Sequence, residues 1–149
     1  MSDSKRLLTL DSNVFVATAK ADEKYRKDCL DLLKLIPDQF ILSEPSIVYQ
    51  EVCGIIARRV GRAEAKEFSE KLDKLVPPEL LFVCDRTFCL NSYPLCSEYG
   101  IYSIDSLYLS TALGSGSIVV SLDDEDFVDK IRKNRHRVEV YHVSDFPYY

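Results

Sequence analysis

With 149 residues, 46% hydrophobic and 29% charged, the chain has the size and composition of one globular domain with a real core. A net charge of −5 argues against a surface that grips nucleic acid all over, while leaving room for a local basic face. No run approaches the roughly 20 apolar residues of a membrane span, and the polar opening Met1-Ser-Asp-Ser-Lys-Arg6 leads into no secretory-type apolar stretch, so no membrane contact and a cytoplasmic location are expected.

In chain order, Leu7-Leu-Thr-Leu10 reads as a buried strand and residues 22–36 as a helix, with Cys29, Leu32, Leu33 and Ile36 at helical spacing. Gln39-Phe-Ile-Leu42 predicts a second strand. A helix over 45–60 follows, with Ser43 as N-cap, Pro45 in the first turn and Gly61 as its stop. Residues 62–76 form the next helix, closed by Pro77-Pro78, before a third strand at Leu81-Phe-Val-Cys84. A helix over 87–99 contains Pro94, which implies a kink or break. Helix 104–113 ends at Gly114-Ser-Gly116, and the strand Ile118-Val-Val-Ser-Leu122, a helix over 125–134 and the strand Val138-Glu-Val-Tyr-His-Val143 complete the set.

Such short, uniformly apolar strands belong to a sheet covered on both faces. Their alternation with helices predicts a three-layer α/β/α fold with a mainly parallel sheet of about five strands. No linker or repeat divides the chain, so residues 1–149 are expected to form one domain. The five cysteines, Cys29, Cys53, Cys84, Cys89 and Cys96, are odd in number and contain no Cys-x-x-Cys pair, which reads as reduced, mostly buried thiols rather than a zinc site.

The chemistry is signalled by acids that interrupt apolar context. Asp11 directly follows the first strand and Asp123 the fourth, at the carboxyl edge where open parallel sheets bind ligands. Either acid could instead cap the helix that follows. Glu51 has Ile47, Val48, Gly54 and Ile55 as helical neighbours, an apolar face on which an unpaired charge is costly. The alternative there is a buried ion pair with Arg58 or Arg59, about two turns away. Asp105 opens a helix whose apolar stripe continues through Tyr108, Leu109, Ala112 and Leu113, although the helix dipole alone would favour an acid in that turn. Several inward carboxylates without an inward cation suit hard-oxygen binding of Mg2+ or Mn2+. Two such ions can activate water and stabilise the leaving oxygen in phosphodiester hydrolysis.

Four segments resemble the motifs of the PIN-domain family. Leu8-Thr-Leu-Asp11-Ser-Asn13-Val-Phe15 looks like the opening strand-Asp-Ser/Thr-Asn motif, and Ser46-Ile-Val-Tyr-Gln-Glu51-Val52 like the second, with its helical Glu. Tyr102-Ser-Ile-Asp105-Ser-Leu-Tyr-Leu-Ser-Thr-Ala112 resembles the third, and Val119-Val-Ser121-Leu-Asp123 the fourth, a strand ending in Thr/Ser-x-Asp. The resemblance runs in order from about residue 7 to the C-terminus. It implies Mg2+- or Mn2+-dependent endoribonuclease activity, with Asp11, Glu51, Asp105 and Asp123 as catalytic and metal-holding acids. Asn13 and Ser121 would act as hydrogen-bonding groups behind them. The spacing to Phe127 departs from the usual pattern: Asp123 fits Ser-x-Asp, Asp124 fits the distance to Phe127, and Asp126 or Asp124 would be an auxiliary acid, Asp126 being the expected extra metal ligand.

An RNA substrate needs cations. Arg58 and Arg59, with Arg62 beyond, extend from the Glu51 helix and are the expected substrate-binding residues; the run Lys130, Arg132, Lys133, Arg135, His136 and Arg137 reads as a solvated helix face. Many small members of the family are VapC-like toxins that form homodimers and pair with an antitoxin protein, which makes both assemblies expectations from the resemblance. A catalytically silent PIN-fold scaffold, binding RNA or a protein partner, is the alternative. A haloacid-dehalogenase-type phosphatase is disfavoured because Asn13 stands where its second Asp belongs, and a receiver domain because Cys84-Asp85 is a poor accepting site.

Overall fold

The computed structural model describes residues 4–134 and 137–149. Among the described residues six strands pair, all in parallel: β1 (Arg6–Leu10), β2 (Phe40–Leu42), β3 (Glu44–Pro45), β4 (Leu81–Phe82), β5 (Ile118–Ser121) and β6 (Val140–His142). The main sheet has four strands in the order β2-β1-β5-β6, while β3 and β4 form a two-stranded ladder of their own. The expected third strand at 81–84 is therefore shorter than its apolar run suggests and stands outside the main sheet. It pairs with residues 44–45, where the sequence pattern predicts the start of a helix.

β1 lies at the centre, paired through Leu8 to both Leu42 and Ile118, and its Leu8, Thr9 and Leu10 are fully buried. The helices are α1 (Ser12–Ala19), α2 (Arg26–Leu33), α3 (Ile47–Arg59), α4 (Arg62–Leu75), α5 (Arg86–Ser92), α6 (Pro94–Tyr99), α7 (Ser103–Ser115) and α8 (Asp129–Lys133). The β1→β2 and β5→β6 connections run in opposite directions along the sheet, so right-handed crossovers put their helices on opposite faces. The three-layer α/β/α arrangement follows from that. On one side α1 packs on α2 and α3, and α3 on α4; on the other, α7 packs on β1, β5, α5 and α6.

Pro94 breaks the expected 87–99 helix into α5 and α6, because it cannot donate to the preceding turn. Gly116, at φ 74°, ends α7 in the left-handed region that favours glycine. Helix α1 has no counterpart among the predicted elements. Six of its eight residues are buried, so it shows no amphipathic stripe. The helix expected at 125–134 begins instead with a π-type turn over Asp124–Val128, closed by the Val128 amide donating to the Asp123 carbonyl at 3.0 Å. Buried Phe127 and Val128 anchor that turn, and π turns recur beside functional sites.

Ser43 is not a helix cap. It is buried, its hydroxyl donates to the Leu80 carbonyl at 3.1 Å, and α3 starts four residues later, after Ser46. The cysteines are all free, but only Cys29 is fully buried; Cys89 is exposed and the others are half-buried. No helix among the described residues is long and apolar enough to cross a membrane.

Candidate metal centre

The carboxyl ends of β1 and β5 lie side by side, with Leu10 opposite Val120. Asp11 and Ser121 therefore leave the sheet as neighbours. The Ser121 hydroxyl donates to Asp11 Oδ2 at 2.7 Å and accepts from the Asn13 amide at 3.3 Å and from the Asp123 backbone amide at 3.0 Å. Its one donor and two lone pairs are all used. Asn13 Nδ2 also donates to Asp11 Oδ2 at 3.2 Å, while its Oδ1 accepts from the Leu122 amide at 3.1 Å, which fixes the orientation of the side-chain amide. Both side-chain hydrogen bonds to Asp11 converge on Oδ2, and Oδ1 has no side-chain partner among the described residues.

Asp11 occupies the cap position of α1 without making a side-chain cap. Burial pushes its pKa up to about 6; Glu51 and Asp123 push the same way, against the Ser121 hydroxyl and the Ser12 amide. Asp105, in the first turn of α7, is pushed up to about 7, first by burial and then by Asp11, Asp123, Glu51 and Asp126. Four elements thus bring Asp11, Glu51, Asp105 and Asp123 within electrostatic reach of one another, with Asp126 at the margin. Asp123 does partly cap, since its Oδ1 accepts from the Asp126 amide at 3.1 Å. Of the two acids that the spacing to Phe127 left open, Asp123 and not Asp124 is among the charges that press hardest on Asp11 and Asp105.

Glu51 is half-buried on α3 and forms no ion pair among the described residues, so the pairing with Arg58 or Arg59 is not made. Both arginines are exposed in the last turn of α3. Arg59 reaches a groove that also touches Ser12, Asn13 and Leu122; Arg58 is not among that groove's residues. In the second basic run, Arg132 donates to the Val140 carbonyl and Arg137 pairs with Glu98, both structural contacts. Arg135 and His136 lie outside the described residues.

One buried acid is absent from the expected set. Glu44, in β3, is fully buried, and its Oε1 accepts from the Leu10 amide at 2.7 Å, one residue before Asp11. Burial, with Asp11 adding to it and the Leu10 amide opposing, holds its carboxyl well above the ordinary range. Among the described residues its Oε2 has no hydrogen-bond partner, nor does the buried hydroxyl of Tyr108, on which burial and then Glu44 and Glu51 act. The sequence does carry a signal for it: Glu44 closely follows the apolar run Phe40-Ile41-Leu42, as Asp11 and Asp123 follow theirs.

The donor set is entirely hard oxygen, and no cation pairs with these acids among the described residues, which fits Mg2+ or Mn2+. No three carboxylates among the described residues stand close enough to form a ready-made cage.

The fold recurs in solved structures of other proteins. Solved structures with the same fold include VapBC2 of Rickettsia felis bound to a promoter DNA fragment (TM-score 0.64, 13% identity, 91% of this chain and 98% of that one). FitAcB of Neisseria gonorrhoeae superposes with TM-score 0.63 at 16% identity, over 94% and 99%. The sarcin–ricin-loop-cleaving toxin VapC20 of Mycobacterium tuberculosis does so with TM-score 0.66 at 12% identity, over 89% and 98%. A comparison with curated proteins finds no match. The PIN domain profile matches residues 8–133, which takes in all four acids, and on that match the chain belongs to the PIN domain family.

Proposed function

We propose that this chain works as one PIN domain and is a divalent-metal-dependent endoribonuclease. The observation that carries the reading is Asp11: a buried carboxylate oriented by Ser121 and Asn13, facing Glu51 and Asp123, with no cation to neutralise it among the described residues. In water-poor surroundings such charge is costly unless a bound ion compensates it.

Asp11, Glu51, Asp105 and Asp123 would hold Mg2+ or Mn2+, directly or through water, with Asp126 as the auxiliary acid. When bound, the metal supplies Lewis acidity at the scissile phosphate and a nucleophile available at neutral pH. Ser121 and Asn13 fix the orientation of Asp11, and the π turn carries Asp126, with Asp123 at its cap. Arg58 and Arg59 carry the positive charge for the RNA backbone at the end of α3.

The solved relatives include a toxin–antitoxin complex from Klebsiella pneumoniae and VapBC2 on promoter DNA. By that likeness we assign this chain the toxin role in a cytoplasmic pair, with an antitoxin protein that blocks the acids. A homodimer is the expected assembly, and exposed Val83, Leu90 and Tyr93 provide apolar surface for it. Sedimentation analysis tests this, because a monomer at all concentrations contradicts it.

One observation favours the other reading. The absence, among the described residues, of three carboxylates close enough to share an ion suits a silent scaffold that binds RNA or protein. Cleavage of a mixed single-stranded RNA pool with Mn2+, Mg2+ or EDTA, by the native chain and by Asp11→Asn, separates the two. Metal-dependent cleavage that disappears in the variant supports the enzyme. Intact RNA under every metal supports the scaffold.

A further inference from the structure

Beside the acids runs a groove of about 330 Å3 between α1 and α3, within the size range of small-ligand pockets (about 300–1,000 Å3). Its inner end is continuous with the candidate metal centre, because Asn13 and Leu122, joined by a hydrogen bond, belong to both. Val16, Ile55 and Leu122 give it an apolar floor, and Ile55 and Leu122 keep part of their surface exposed. Two cations from different helices reach it, Lys20 just past α1 and Arg59 at the end of α3. Neither forms an ion pair among the described residues. Glu23 also lines the groove and offers an acceptor for hydroxyl or amino groups.

Apolar floor, two cations and polar acceptors match the three parts of one nucleotide: base, phosphate and the hydrogen-bonding edge of base or ribose. In a chain of net charge −5, this positive pair stands directly beside an acidic centre that a polyanion must approach. We infer that the groove is the subsite for the unpaired nucleotide flanking the scissile phosphate. The base or ribose lies against Val16, Ile55 and Leu122, and the neighbouring phosphate is met by Lys20 and Arg59. The inference rests on the ribonuclease reading and adds Lys20, Ile55 and the unpaired state of that nucleotide to it. Only a nucleotide out of its stack can lay its face on such a floor.

The test is binding, without cleavage, of a fluorescein-labelled mixed-sequence single-stranded RNA 12-mer in EDTA, followed by anisotropy across a salt series. The variant Lys20→Ala with Arg59→Ala should weaken binding tenfold or more. It should also flatten the salt dependence by about 0.7 in log–log slope, for the one phosphate left without its cations. Ile55→Ala should weaken binding without changing the slope. Lys66→Ala with Lys74→Ala, on exposed α4, should leave both unchanged. Circular dichroism and thermal melting of each variant confirm that it folds. If the native chain binds RNA and the Lys20/Arg59 variant binds it equally well, the subsite is overturned while the ribonuclease reading stands; the groove then belongs to a protein segment. An equal loss in the α4 control also overturns it, since the effect would be general charge. No binding by the native chain at low salt would sink the ribonuclease reading, and this inference with it.

Discussion

The two ends of the central sheet carry the same kinds of residue and treat them in opposite ways. At the end where β1 begins, Arg6 pairs with Glu139 at 2.8 Å and lies over the Tyr148 ring at 5.0 Å, while Tyr141 and Tyr148 both donate to Glu139 at 2.9 Å. Although partial burial works against it, this ring of donors holds the Glu139 carboxyl below its ordinary range. At the other end, directly after Leu10 closes the strand, Asp11 has hydroxyl and amide partners and no cation among the described residues, and burial drives it up. An acid that serves the fold is matched with donors enough to keep it charged. The acids at the carboxyl edge have neutral donors and one another but no cation among the described residues, which leaves room for an ion that the chain does not itself provide.

The comparison breaks most visibly at Asp11. Replacing it by Asn keeps size and removes charge, so metal-dependent RNA cleavage should fall by more than the ~10–100-fold typical of losing an outer partner of a metal site. Ser121→Ala, which removes such a partner, should fall within that range. Single-turnover rates of both variants check the order, and a Ser121 effect as large as that of Asp11 would reverse the roles given to them.

Glu44 sharpens the same contrast. Glu44→Ala leaves the Leu10 amide buried without its acceptor and should cost about 2–4 kcal/mol in urea unfolding. Glu44→Gln keeps an acceptor and removes a charge that burial disfavours, so it should cost less than about 1 kcal/mol. A large loss with Gln would show that the native side chain is ionised.

A pH dependence follows from the raised pKa values. Asp11 and Asp105 bind protons more tightly in the folded chain than in the unfolded one. Their contribution to stability is therefore fully present below about pH 4 and is lost as pH rises through about 6 and about 7. The metal-free protein should melt lower at pH 8 than at pH 5, and Mn2+ should raise the melting temperature more at pH 8. A melting temperature that climbs from pH 5 to 8 without metal would contradict these shifts.

The smallest effect belongs to the other end of the sheet. Arg6→Ala removes an exposed ion pair and should cost about 1 kcal/mol or less, with cleavage unchanged. Loss of activity there would show that the two ends are coupled.

The order of strands and helices was legible because buried parallel strands write themselves as short apolar runs, and Pro94, Gly61 and Gly116 punctuate between them. The acids Asp11 and Asp123 were legible as charges placed immediately after such runs. Helix α1 was not, since a helix buried on nearly every side has no stripe to read. The β3–β4 ladder is two residues per strand, too short for any period, and Ser43-Glu44-Pro45 imitates a helix start, so Glu44 is not among the expected acids. The Lys20–Arg59 groove joins residues far apart in the chain, a proximity that exists only once α1 and α3 pack.

The central claim, that the acids at the carboxyl edge form a divalent-metal site, is tested most directly by calorimetric titration of Mn2+ into the native chain and Asp11→Asn at about pH 6.5, in two buffers of different ionisation heat. The account predicts saturable binding by the native chain, with proton release from the raised carboxyls and a heat that differs between the buffers, and binding that is weakened at least tenfold in the variant. Identical titrations for the two proteins, or no saturable binding to either, would contradict it.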